Sequence, residues 1–139
     1  MQTFVPTIET NTKGPLVFVY GSLRKGLEFH KYLTAEPHQY LGEFKTKPKY
    51  DMQLAMGGGG RIFPTVKTGG RTSILGEVYR ITNNTLKVLD RIEGHPILYK
   101  RQMLNTPFGL AWIYLFSQEN IDMPKLVTGD WMEVRKLFY

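Results

Sequence analysis

A chain of 139 residues, 42% hydrophobic and 13% aromatic, has the size and apolar content of one folded domain and excludes a disordered polar tail. It contains no cysteine, which excludes disulfides, thiolate nucleophiles and zinc–thiolate sites and fits a reducing, cytoplasmic compartment. The net charge of +6 comes from residues scattered over separate segments, among them Lys45, Lys49, Arg61, Arg71, Arg101 and Arg135. With no basic helix and no aromatic signature of an RNA-binding sheet, the expectation is a solvated, mildly basic surface and no nucleic-acid partner.

The first fourteen residues, MQTFVPTIETNTKG, lack a basic start and an apolar run, so they are expected to be a polar lead-in rather than a secretory signal. The first strong strand is LVFVY over 16–20, a continuous apolar run of the kind buried on both faces. Gly21-Ser22 breaks it, and the spacing of Leu27, Phe29 and Leu33 predicts a short helix over 27–33. Residues 38–47 and 50–55 are expected as strands around a Lys47-Pro48 interruption. Four glycines over 57–60 cost too much backbone entropy for a regular element and predict a loop, after which RIFPTV resumes an extended path.

ILGEVYRI over 74–81 is a predicted strand, with a bulge or a close backbone approach at Gly76. The period then changes. Thr82 and Asn83 suit a helix N-cap, Leu86, Leu89 and Ile92 share one helical face, and Gly94 followed by Pro96 supplies the stop. Two strands over 99–104 and 110–116 are expected to join through Pro107-Phe108-Gly109, and Thr128-Gly129-Asp130-Trp131 has the composition of a turn. Six or seven strands with two short helices, and no sustained βαβ alternation, indicate a single mixed α+β domain whose sheet closes into a small barrel. No stretch is long and apolar enough to predict a membrane span.

Two places carry candidate chemistry. Tyr20, Gly21, Ser22 and Leu23 lie between a buried strand and a helix, where backbone N–H groups converge and glycine lets a ligand approach the main chain. Arg24 and Lys25 are expected to add positive charge there. The glycine spacing is not that of a P-loop, and Ser22 lacks the nucleophile elbow of a serine hydrolase. The second place is Asp90 with Glu93, three residues apart on one helix. Glu93 falls in the last turn, where the helix dipole and flanking apolar residues would raise its pKa towards that of a general acid/base. Spacing alone leaves open a solvated surface glutamate instead, and gives Asp90 a structural role as a hydrogen-bond acceptor for a loop or an arginine. His30, His38 and His95 show no metal-ligand spacing, and no metal or other cofactor is expected.

The segment VFVYGSLRKG, with His30 and Leu33 after it, resembles the opening of the γ-glutamylcyclotransferase-like family. LKVLDRIEGHPILYKR resembles that family's second signature, with Leu89, Asp90, Glu93, Pro96, Tyr99 and Arg101 at the matching positions. GGGGRIFPTV and GEVYRI are similar to its middle, so the resemblance runs from about residue 16 to 116 and leaves 1–15 and 117–139 outside it. It looks nearest to the γ-glutamylamine cyclotransferase branch. The resemblance implies a small barrel-like α+β fold spanning 1–139, with Glu93 as the catalytic acid/base and Tyr20, Gly21, Ser22 and Leu23 as the substrate-holding loop. Some relatives carry threonine where Ser22 stands. The implied reaction is cyclisation of a γ-glutamyl amide to 5-oxoproline and a free amine, on a small-molecule substrate, with no membrane or nucleic-acid partner. The same fold would also serve a non-catalytic binding module, or an enzyme removing a γ-glutamyl group from a biosynthetic conjugate. The resemblance assigns neither the leaving amine nor an oligomeric state.

Overall fold

The computed structural model describes residues 13–119 and 121–139, so the lead-in expected at the N-terminus lies, through residue 12, outside the described residues. Its centre is β1 (Leu16–Val19), every residue of which is buried. The strand is covered on both faces, which is why its sequence is apolar without alternation. Leu16 and Phe18 face one core and Val17 and Val19 the other.

Five strands form the main sheet: β1, β2 (Gln39–Lys45), β5 (Leu75–Arg80), β6 (Tyr99–Thr106) and β7 (Gly109–Phe116), in the order β2-β5-β1-β7-β6. β1 runs antiparallel to β5 and parallel to β7, with Leu16 opposite both Arg80 and Ala111. A second pair, β3 (Tyr50–Met56) and β4 (Ile62–Thr68), forms an antiparallel hairpin around the glycine run. Met52 of β3 and Ile62 and Val66 of β4 pack into the same core as Leu16, Phe18, Ile113 and the buried Trp131. The mixed α+β domain expected from the sequence is therefore present, its barrel-like core enclosed by two hydrogen-bonded sheets.

The opposite core lies under helices α1 (His30–Thr34) and α2 (Asn83–Glu93), which contribute Leu33, Leu86 and Leu89 against Val17, Val19 and Tyr79. Full burial of a leucine of this kind stabilises the fold by about 2 kcal/mol. The boundaries of α2 are those its sequence predicts. The Thr82 hydroxyl accepts from the Thr85 N–H, and Gly94 takes the left-handed conformation at φ 65° that ends the helix.

Two local expectations are corrected. α1 begins at His30 rather than 27, because Gly26 at φ 89° interrupts a series of tight turns closed by Arg24 N–H to Gly21 O and Leu27 N–H to Arg24 O. The 57–60 segment is the expected loop, with Gly59 at φ 71° and Gly60 at φ 75°, both outside right-handed helical geometry. The stretch 128–131 leads into a third short helix, α3 (Trp131–Arg135), with Asp130 as N-cap accepting from the Met132 N–H at 3.1 Å. Asp before an apolar Trp-Met pair is an N-cap signal that composition read as turn. Of the two readings for Gly76, close approach is the one realised: a Cβ there would run into the Val19 carbonyl oxygen and the Phe18 ring. The bulge of the sheet falls instead between Tyr40 and Gly42. Among the described residues no helix is long and apolar enough to cross a membrane.

Candidate active site

Beyond the end of β1, the chain borders a cavity of about 170 Å³ shared by the 20–23 loop, the last turn of α2, β4 and the aromatic residues Tyr99 and Tyr114. Glu93 and all four predicted loop residues, Tyr20, Gly21, Ser22 and Leu23, line this one pocket. They come from segments 70 residues apart, and β5 and α2 bring them together.

The loop is held by its carbonyl groups. Gly21 O accepts from Arg24 N–H at 2.9 Å, Ser22 O from Phe29 N–H at 3.0 Å, and Leu23 O from His30 Nδ1 at 2.9 Å. The N–H groups of Gly21, Ser22 and Leu23 have no protein acceptor among the described residues. Three successive unpaired donors beside a cavity form a ready site for a carboxylate or another oxyanion. Gly21 is required by packing, since a Cβ there would stand 2.9 Å from Cγ of Pro64 on β4.

Arg24 does not supply the positive charge expected of it. It is buried, with Nε 3.0 Å from Glu77 Oε2 and Nη1 2.9 Å from Asp130 Oδ1. Glu77 also accepts from the Lys25 N–H and the Tyr79 hydroxyl. Arg24 therefore ties the loop to β5 and to the cap of α3, and its charge is neutralised there.

Glu93 is the last residue of α2 and is partly buried against the pocket wall. Among the described residues nothing hydrogen-bonds or pairs with its carboxyl. Three nearby phenols are committed elsewhere. Tyr20 donates to Tyr114 O at 2.5 Å, Tyr99 to Pro64 O at 3.0 Å, and Tyr114 to Asp90 Oδ1 at 2.6 Å. With no donor to stabilise its charge, burial pushes the Glu93 carboxyl up to about 7. Burial, followed by the neighbouring negative charge of Glu93, holds Tyr99 well above its ordinary value, and burial does the same for Tyr20.

Asp90, one turn earlier, has the opposite environment. Arg101 donates to both its oxygens, Nε at 2.8 Å and Nη2 at 3.1 Å, and Tyr114 adds a third bond. Partial burial pulls its carboxyl upward, but the hydrogen bonds from Arg101 and Tyr114 outweigh this and hold it below the usual carboxylate range. Two carboxylates three residues apart are thus driven in opposite directions, the arrangement that separates a structural acid from a protonatable one.

Ser22 has no hydrogen-bonded base among the described residues. His30 serves the loop backbone, His38 binds Glu36 O, and His95 Nδ1 accepts from the Arg101 N–H at 3.3 Å. The glycine run itself does not line the pocket, but Arg61 and Phe63 immediately after it do. Sequence reasoning counted Arg61 only among scattered surface charges. The signal available was its position directly after the 57–60 loop.

The fold and the pocket define a small α+β domain that presents one protonatable carboxyl and a run of free backbone donors to a ligand. The chain belongs to the gamma-glutamyl cyclotransferase, AIG2-like family, whose model matches residues 17–133. A Vibrio cholerae protein is 40% identical over 118 residues, covering 85% of this chain and 96% of that protein. YtfP of Escherichia coli K12, a gamma-glutamylcyclotransferase family protein, is 38% identical over 118 residues, covering 84% of this chain and 96% of its own length. The solution structure of Escherichia coli YtfP superposes with a TM-score of 0.67 at 31% identity, over 86% of this chain and 98% of that one. An uncharacterised protein from Pyrococcus horikoshii superposes with a TM-score of 0.74 at 25% identity, over 90% and 96%.

Proposed function

We propose that the protein cleaves a γ-glutamyl amide by intramolecular cyclisation, releasing 5-oxoproline and a free amine. The observation that carries this reading is the pairing, within one pocket, of an unpartnered Glu93 carboxyl raised to about 7 with three unpaired N–H groups at 21–23.

The substrate's α-carboxylate fits the backbone donors of Gly21, Ser22 and Leu23. Its α-ammonium then gives a proton to the Glu93 carboxylate, and the freed amine attacks the γ-carbonyl carbon. A new C–N bond closes the five-membered ring, the original amide C–N bond breaks, and Glu93 returns the proton to the leaving nitrogen; the surplus proton on the ring nitrogen then passes through the same carboxylate to the released amine, which departs as an ammonium. The electron pair of the broken bond leaves with the amine nitrogen, and water takes no part. A group with a pKa near 7 can accept and return a proton with similar ease, and such catalysis contributes about 10²–10⁴-fold. Holding the flexible glutamyl chain in a ring-closing geometry contributes through the avoided entropy of an oriented attack. A cytoplasmic setting belongs to the same proposal.

The test is direct. Wild-type protein and Glu93→Gln are incubated with a panel of γ-glutamyl amines and γ-glutamyl amino acids, and 5-oxoproline is followed by mass spectrometry. Release by the wild type and none by the folded variant is expected. Undiminished cyclisation by Glu93→Gln would remove Glu93 from the mechanism, and recovery of every compound unchanged from the wild type would overturn the reaction.

A further inference from the structure

A second cavity, of about 390 Å³, shares none of its lining residues with the Glu93 pocket. Two parts of the chain line it: the end of β2 with the 71–75 stretch, and the 127–133 stretch that leads into α3. They meet where the Leu75 N–H donates to Gly129 O at 3.0 Å, and so closely that a Cβ on Gly129 would run into the Ser73 carbonyl oxygen. The volume is that of a small-molecule site.

The two parts carry opposite charge. Lys45, the last residue of β2 and opposite Leu75 in register, lines the cavity with Arg71, whereas Asp130 and Glu133 line it from the other stretch. No ion pair joins the two sets. Asp130 already holds Arg24 at 2.9 Å, so its charge is met from behind. Glu133 has no cation among the described residues and accepts only from the Thr128 hydroxyl at 3.4 Å. Lys45 and Arg71 have no acidic partner there, and the hydroxyls of Thr72 and Ser73 make no hydrogen bond among the described residues. Opposite charges that border one cavity without bridging it are left to water or to a ligand that spans them.

We propose that this cavity is a second ligand site, separate from the Glu93 pocket, which takes a free α-amino acid with an aliphatic side chain. The carboxylate pairs with Arg71, whose planar fork matches it, and with Lys45, and it accepts from the Thr72 and Ser73 hydroxyls. The ammonium meets Glu133. Pro48, Leu75 and Val127 give the side chain an apolar wall. Two unmatched cations against one unmatched carboxylate place the larger share of the recognition on the ligand's acidic end. Lys45, Arg71 and Glu133 are exposed, so these pairs stay partly in water and the dissociation constant is on the order of 1 mM.

The test is an NMR titration of the full chain with L-leucine, with isocaproate, which lacks the ammonium, and with isoamylamine, which lacks the carboxylate. Leucine should give saturable shifts of amide signals in 71–75 and 128–133, with those of 20–23 unmoved. Each truncated compound should bind about fivefold more weakly, as the loss of one partly solvated pair allows. Arg71→Gln and Glu133→Gln should each weaken leucine binding by a similar factor. Both replace exposed side chains, and the remaining signals of each variant report that it is folded. The absence of saturable shifts with leucine overturns the proposal, as do shifts centred on 20–23. Isocaproate binding as tightly as leucine, or leucine binding unchanged in both variants, overturns it as well. None of these outcomes bears on whether the Glu93 pocket forms 5-oxoproline, which is decided separately by product release.

Discussion

Tyr114 is bonded at both ends: its hydroxyl donates to Asp90 Oδ1 at 2.6 Å, and its backbone carbonyl accepts from the Tyr20 hydroxyl at 2.5 Å. One residue of β7 thereby couples the last turns of α2, which carry Glu93, to the first residue of the 20–23 loop. Asp90 is the polar anchor of that coupling, since it also receives Arg101 from β6. The guanidinium of Arg101 is backed by the Trp112 ring at 4.2 Å.

Replacing Asp90 by Asn removes the charge from three hydrogen bonds and presents Arg101 with a partner that cannot accept a fork. The expected loss is about 2 kcal/mol of folding stability, in the range for a charged, partly buried hydrogen-bonded group. Urea denaturation of wild type and Asp90→Asn measures it. Turnover should persist in the folded variant, because the Glu93 carboxyl takes no part in that network. A variant as stable as the wild type but inactive would reverse the assignment of the two acids.

The pH dependence of stability has a definite sign. Glu93 ordinarily titrates near 4.5 and is raised to about 7 by burial in the folded protein. Between those values the folded state binds the additional proton, so the stability contributed by protonated Glu93 is complete below about pH 4.5, declines as pH rises, and is gone above about pH 7. The span corresponds to about 3 kcal/mol. Glu93→Gln should lose this part of the decline, so the variant's advantage over wild type grows from acid to neutral pH. Parallel pH profiles for the two proteins would mean that Glu93 is not buried as described. In the catalytic direction, kcat/KM should rise through about pH 7 as the Glu93 carboxylate becomes available to accept the proton.

Gly21 meets Pro64 with no room for a side chain, and Gly21, Ser22 and Leu23 provide the N–H groups that have no acceptor among the described residues. Gly21→Ala should displace the loop from β4 and raise KM for a γ-glutamyl substrate by about tenfold, with a smaller change in thermal midpoint, since the role proposed for the loop is to orient the bound chain. Steady-state kinetics beside a thermal melt checks this. An unaltered KM would place the substrate elsewhere in the cavity.

Gly76 tests the fold independently of the site. A methyl group there collides with the carbonyl of Val19 and the ring of Phe18, both on the fully buried central strand. Gly76→Ala should cost about 3 kcal/mol, at the high end for overpacking because one of the obstacles is backbone. Chemical denaturation measures it, and a loss of a few tenths would show that β1 and β5 can separate without penalty.

What the sequence determined by itself was local or periodic. Thr82 and Gly94 set both ends of α2, because a cap needs only a side-chain oxygen three residues before an amide and a glycine able to turn left-handed. The unbroken apolar run at 16–19 declared a central strand, because only burial on both faces permits it. The family motifs likewise marked Glu93 and the 20–23 loop as candidates. Which charges face the pocket was decided only in three dimensions. Arg24 and Arg61 are indistinguishable as side chains, yet one is spent on Glu77 and Asp130, 53 and 106 residues away, while the other lies over Phe29 with no ion pair among the described residues. Asp90 and Glu93 share one helix, yet Arg101 and Tyr114 reach only the first. The fate of a charge depends on its partners and on the water removed from around it, and long-range packing of the strands sets both.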